Sequence, residues 1–280
     1  MFRSTHQRVL VSVGCGLLLT STGCSAPTYP KERLLESVQE VLAAEGIQAS
    51  VRLIDHTLAV QFAYPEALGR SGESAAIDLG PGFDEASRKA LTALHRVLLS
   101  SDADVRFYLL LLSDPQVPGA YLTMVRYLED IRKVHVSIIS VTELMSRTVF
   151  ELNTVEETPL TIEEYLPREI ELSDFLTWQL SRRIRQELTD ALQASGVVAS
   201  VGRCQGQFRE GEFAFALNVV PNAKEPFEED AMQLVFDTAT KLIAEVLSGY
   251  DFESFRTVRL IHPATGRNFV MPRAKLDFFR

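Results

Sequence analysis

Cysteine is scarce in this sequence: Cys15, Cys24 and Cys204 are the only three in 280 residues. The first two lie within or at the end of an apolar N-terminal run. Only Cys204 falls in the body, so no disulfide framework can be drawn. A lone body cysteine behaves as a small apolar side chain. Histidine is also sparse. Apart from His6, only His56, His95, His135 and His262 occur, and no two stand at i, i+4. Neither H-E-x-x-H nor C-x-x-C appears, so no metal site and no cofactor is expected. G-x-S-x-G is missing, which excludes the commonest α/β-hydrolase nucleophile turn. A hydrolase built from residues distant in the chain is the least favoured reading. Gly80-Pro81-Gly82 precedes a helical stretch, but Pro81 has no N–H, so the segment reads as a turn rather than a phosphate cradle. Positive charge is in deficit: 28 Lys and Arg stand against 37 Asp and Glu, a net charge of -9. That argues against nucleic acid, whose phosphates must be neutralised, and against broad adhesion to anionic lipid head groups.

A long apolar run is missing as well. The nearest approach is Val9 to Thr20, 12 residues interrupted by Ser12, Gly14 and Gly16. This is too short to span a bilayer. Arg3 and Arg8 precede it and the small residues Ser21, Thr22 and Gly23 follow, which is the layout of a signal peptide. Leu19-Thr20-Ser21-Thr22-Gly23-Cys24 resembles the lipobox of bacterial lipoproteins, with Ser21 where that family usually has leucine. The resemblance covers only the N-terminal segment. It implies cleavage before Cys24 and a diacylglyceryl group, with palmitate-type chains, on its sulfur. Loss of Arg3 and Arg8 would take the charge from -9 to -11. Two or three acyl chains make a durable anchor, because a single chain holds only reversibly. Ser25 rather than Asp follows the cysteine; by analogy with enteric bacteria this favours the outer membrane, facing the periplasm, in a host with two membranes. The implied location is the cell envelope, with the membrane as a partner through Cys24.

What remains is an apparent internal repeat. Gly46-Ile47-Gln48-Ala49-Ser50-Val51 matches Gly196-Val197-Val198-Ala199-Ser200-Val201 at an offset of 150, and Leu34, Val38 and Leu42 fall on Ile184, Leu188 and Leu192. Further on, Phe107 to Pro115 falls on Phe255 to Pro263. After a one-residue gap, Met124, Arg126, Asp130 and Lys133 fall on Met271, Arg273, Asp277 and Arg280. Helical spacing is expected at Leu34 to Leu42 and over Asp84 to Ser100. Alternation predicts a hairpin of Ala49 to Leu53 and Leu58 to Phe62. Val105 to Leu112, apolar almost throughout, reads as a buried central strand followed by a strand at Tyr121 to Leu128. The second half repeats the order: helix Phe175 to Ala194, strands near Ala199 to Cys204 and Glu212 to Val219, helix Glu229 to Leu247, and strands Thr257 to His262 and Asn268 to Asp277. Each half is thus expected to be an αββαββ unit, a four-stranded, mainly antiparallel sheet with two helices on one face, so the fold class is α+β.

The expected organisation is a signal peptide at 1–23, a tether at 24–30, a first unit at 31–135, a connecting helix and acidic linker at 136–174, and a second unit at 175–280. Ser140 to Leu152 reads as a helix opened by the capping box Ser140-Val141-Thr142-Glu143. Thr154 to Leu172 is rich in glutamate and reads as an exposed linker, although Leu160, Ile162, Tyr165 and Leu166 suit packing on a neighbour. Arg126 with Asp130, and Arg273 with Asp277, have equal spacing. On strands they would share a face, so they are candidate contacts for an envelope protein partner. The alternative to this non-enzymatic, protein-binding or scaffolding role is a small ligand held in the groove between the two units.

Overall fold

In α1 (Leu34–Ala44) the residues at helical spacing, Leu34, Val38 and Leu42, all point into the core. A single 3-10 turn, Lys31–Arg33, leads into it. The helix ends at Gly46, whose φ of +78° is the left-handed conformation that glycine adopts without a Cβ clash. Gly46 N–H donates to the Ala43 carbonyl and Ile47 N–H to the Leu42 carbonyl, each at 2.9 Å. This computed structural model describes residues 27–71, 76–154, 161–221, 229–250 and 252–276. The signal segment, Cys24, Leu160 and Asp277 lie outside the described residues.

The first sheet has five strands: β1 (Ala49–Ile54), β2 (Thr57–Ala63), β5 (Phe107–Ser113), β6 (Ala120–Tyr127) and β7 (Val149–Thr154), in the order β1-β2-β5-β6-β7. All its ladders are antiparallel except β2 with β5. That parallel pair requires a crossover, supplied by α2 (Phe83–Leu98). Successive side chains of β5 point to opposite faces, and both faces are covered. Tyr108, Leu110 and Leu112 meet α1 and α2, whereas Phe107, Leu109 and Leu111 face the second half of the chain. The continuous apolar run of β5 is therefore that of a central strand.

The second half repeats the pairing sequence. β9 (Gln205–Arg209), β10 (Glu212–Ala216), β12 (Thr257–His262) and β13 (Arg267–Pro272) run antiparallel, parallel, antiparallel. The crossover is α7 (Glu229–Ser248). A two-stranded ladder of β8 (Ala199–Val201) with β11 (Val219–Pro221) extends the hairpin beyond a bend at Gly202 to Cys204. The preceding helix, α6 (Leu172–Ala194), closes as α1 does: Gly196 has φ +73°, and its N–H and that of Val197 donate to the Gln193 and Leu192 carbonyls at 3.1 and 3.0 Å. α6 lies between the two sheets. Ile184, Leu188 and Leu192 join α7 and the second sheet in one core, which continues through Phe175 to Phe107 on the underside of the first sheet.

Several expectations need correction. Between β2 and α2, where no strand was expected, the chain forms the hairpin β3 (Leu68–Ser71) and β4 (Ala76–Leu79). A Cβ on Gly80 would stand 2.2 Å from the Glu66 carbonyl oxygen, so close backbone approach explains that glycine. The helix expected over Ser140 to Leu152 ends early. α4 (Val141–Arg147) is capped at Ser140, whose side chain accepts from Glu143 N–H, but the Glu143 carboxylate turns to Arg147 instead of closing the box. From Val149 the chain becomes β7, because the open edge of β6 offers a ladder to a β-branched and aromatic segment. A further helix, α3 (Leu128–His135), starts where a strand was expected to end. The acidic linker is not simply exposed. Its short helix α5 (Ile162–Tyr165) has a complete capping box, and Ile162, Leu166 and Ile170 are buried in the shared core while Glu163 pairs outward with Arg52.

Candidate functional site

A cluster of buried polar side chains lies at the junction of the two halves. Asp130, in the first turn of α3, is only 1% exposed. Its Oδ1 accepts from Arg147 Nη1 at 2.9 Å and its Oδ2 from the Tyr250 hydroxyl at 3.0 Å. Gln179 of α6 donates from Nε2 to that hydroxyl oxygen and to the Arg147 carbonyl, at 2.9 and 2.6 Å. The Arg147 guanidinium lies over the Tyr250 ring, 4.9 Å from its centroid. Burial raises the Asp130 carboxyl above its ordinary value and outweighs the opposing pull of Arg147. It also raises the Tyr250 phenol. These groups tie α3, α4, α6 and the end of α7 together.

Arg126 belongs to a second buried chain. Its Nε donates to Thr148 Oγ1 at 3.0 Å, and its Nη1 stands 3.5 Å from the Tyr108 hydroxyl. That hydroxyl lies 2.8 Å from His95 Nε2. Burial, followed by the charges of Arg126 and His135, lowers the His95 value to about 4, so the ring is neutral near pH 7. Burial lifts the Tyr108 phenol to about 12.

Arg126 and Asp130 are therefore not a surface pair on one strand. The first is on β6, the second is on α3, and both are buried. Nor does Arg273 occupy the place of Arg126. In the first sheet Arg126 stands opposite Tyr108, and Leu128 N–H donates to the Arg106 carbonyl. In the second, Met271 stands opposite Val258, and Arg273 N–H donates to the Arg256 carbonyl. Ladder register thus equates Arg126 with Met271, and Arg273 with Leu128. The sequence match is displaced by two residues. Arg273 opens the short helix α8 (Arg273–Leu276) at the surface, where it pairs with Glu253 at 3.3 Å and lies over the Phe255 ring. Asp277 lies outside the described residues.

Asp114, just after β5, and His262, the last residue of β12, have local partners. Asp114 accepts from Leu68 N–H and Gln116 N–H. The buried His262 places Nε2 2.8 Å from the Val219 carbonyl and Nδ1 2.8 Å from Thr265 Oγ1. Cys204 is buried, and burial pushes its thiol up to about 12.

Open space also concentrates at the junction. A cavity of about 350 Å³ lies between β7, α6 and the bend after β8, lined by Phe150, Glu151, Arg182, Arg185, Arg203 and Cys204 among others. Arg182 donates to the Thr148 carbonyl and lies 6.0 Å from the Phe150 ring centroid. Arg203 reaches Glu151 only at 3.8 Å. Burial of its charge, and then the neighbouring Arg185, lower the Arg182 value. Three guanidinium groups thus meet a single carboxylate in a chain that is acidic as a whole. A second groove, of about 500 Å³, has Tyr127, Phe208 and Phe252 in its walls with Arg106 and Glu169. The histidine and cysteine patterns gave no signal for the arginine cavity, because its members come from α6 and a loop and are unremarkable in sequence.

No family model, no curated protein and no solved structure matches this chain. The site therefore rests on its own geometry. Among the described residues, no three His, Cys, Asp or Glu side chains gather where a metal ion could sit. Among them, too, no helix is long and apolar enough to cross a membrane.

Proposed function

We propose that this chain is an envelope lipoprotein, anchored through an acylated Cys24, whose body of two αββαββ copies has a non-enzymatic binding or positioning role. The observation that carries the reading is the lipobox-like run Leu19 to Cys24 behind a short apolar segment and two arginines. The shared helix caps and the common order of ladders in the two sheets support the duplication. In a host with two membranes, Ser25 favours the outer one. The test is intact mass of the membrane-extracted protein together with fractionation of the Cys24→Ser variant. Acylation at residue 24, and release of the variant from the membrane fraction, are expected. An unmodified residue 24 in the native protein would overturn the reading.

A second reading is favoured by the arginine cavity: the junction binds a small anionic ligand, of the carboxylate or phosphate class. Guanidinium groups suit both because their planar fork matches two oxygens. The same cavity would equally receive an acidic side chain of a protein partner, and so it replaces the Arg126 and Asp130 positions as the surface for that role. Titration with inorganic phosphate and with succinate at low salt checks it. Saturable binding that Arg185→Gln and Arg203→Gln together abolish is expected. Binding that is unaffected by the pair, or no binding, would sink this second reading.

A further inference from the structure

The turn that joins α3 to α4 and the outer side of α4 expose apolar side chains. Val136, Ile138 and Val141 are 67, 68 and 64% exposed, and Met145 is 54% exposed. The loop is held in this form. Ser137 adopts a left-handed φ of 59°, its N–H donates to the Val134 carbonyl at 2.9 Å, and Ile138 N–H donates to the Lys133 carbonyl at 2.8 Å. In such a helix end the apolar residue at the position of Ile138 usually folds back onto the helix. Here it points away, while Ile139 and Val134 pack against the first core.

The chain arriving from the N-terminus is fastened at the same end of the first sheet. Tyr29 N–H donates to the Ser100 carbonyl at 3.2 Å, and Lys31 N–H donates to Asp102 Oδ1 at 2.7 Å. The loop they grip leads into Phe107, the first residue of β5, and Phe107 stands opposite Tyr127, the last residue of β6. Leu128, the next residue and the start of α3, donates to the Arg106 carbonyl. Tyr29 packs against the same core as Val134 and Ile139. Cys24 is five residues before Tyr29, a reach of about 18 Å at full extension.

From this we infer that the 136–140 turn with the outer side of α4 is the membrane-contacting surface of the protein, its apolar side chains entering the lipid head-group region beside the anchor. The inference rests on the proposed acylation of Cys24. The occupant is a bilayer rather than a partner protein because the tether leaves the body at this end and is too short to carry it elsewhere. Arg132 is paired with Glu129, and Asp102 lies beside the arriving chain at Lys31, so contact is led by apolar insertion and should depend little on anionic lipid. Apolar side chains of this size lying against charged groups at an interface are the pattern of shallow insertion.

The test uses the full lipidated chain in vesicles of phosphatidylethanolamine and phosphatidylglycerol that carry brominated acyl chains. Trp178 is the only tryptophan, so Ile138→Trp with Trp178→Phe places a single reporter in the loop. Gln116→Trp with Trp178→Phe places it at the other end of the first sheet, on the turn between β5 and β6, about 24 Å away along the strand. Emission from the first should fall by about half, and emission from the second should be unchanged. Val136→Asp with Ile138→Asp, in the lipidated Trp178→Phe chain with Val141→Trp as the reporter, should remove most of the quenching that this reporter shows without the aspartates. If residue 24 is acylated and the loop reporter is not quenched, the inference fails while the lipoprotein reading stands. Sedimentation showing that the aspartate pair converts a dimer to a monomer would likewise overturn it, because the loop would then be an interface between copies. An unacylated residue 24 would remove both the reading and this inference.

Discussion

The Tyr250 hydroxyl donates to Oδ2 of Asp130 across 120 residues of sequence, at 3.0 Å in the interior. Asp130 belongs to the first half and Tyr250 follows the crossover helix of the second, so this bond fastens one half to the other, while the Arg147 pair beside it joins α3 to α4 and holds the carboxylate in place. Removing one member of such a buried ionic pair leaves the other uncompensated. Arg147→Met alone should therefore destabilise the protein by about 3–5 kcal/mol in urea titrations. Asp130→Leu combined with Arg147→Met should recover much of that loss, since an apolar pair of similar volume is often neutral. Equal losses in the single and the double variant would show that the pair does not act as a unit.

His95 gives the fold a defined response to acid. Its value falls from 6.5 unfolded to about 4 folded. Between those limits the unfolded chain binds the extra proton, so stability rises with pH. The contribution is fully present above pH 6.5 and is lost as pH falls towards 4, amounting to about 2 kcal/mol between pH 7.5 and pH 5. His95→Gln keeps a hydrogen-bonding side chain next to Tyr108 but does not titrate. The stability difference between the two pH values should shrink by about that amount in the variant, as measured by chemical denaturation. An unchanged difference would mean that His95 titrates normally.

Cys204 should be silent to thiol reagents in the folded protein. The thiolate is the reactive form, and burial pushes the thiol up to about 12, so the thiolate is scarce at pH 8. Ellman's reagent should find no thiol in the native, membrane-extracted chain and one in denaturant. Two in denaturant would mean that Cys24 is free.

Residues whose local chemistry suffices were legible in advance. The apolar spacing of Leu34, Val38 and Leu42 marked α1, and its match at Ile184, Leu188 and Leu192 marked α6. The unbroken apolar run of β5 announced a strand covered on both faces. The fates of Arg126 and Asp130 could not be read, because a four-residue spacing keeps two side chains on one face within a strand or within a helix, but not across a change from one to the other. A helix starts at Leu128 and turns Asp130 inward to meet Arg147. β7 was missed for a related reason: its segment is ambiguous by itself, and the free edge of β6 decided it.

By itself, the sequence determined the α+β class, the order of most helices and strands, and the lipobox-like start, because periodicity and short motifs act over a few residues. Tertiary structure alone decided that α6 would be wedged between two sheets, that Asp130 and Tyr250 would bond, and that three arginines would share one cavity. Those outcomes depend on which surfaces meet when apolar faces are buried, and buried polar groups must then find partners among whatever lies opposite. Contacts between residues a hundred positions apart leave no periodic trace in the chain.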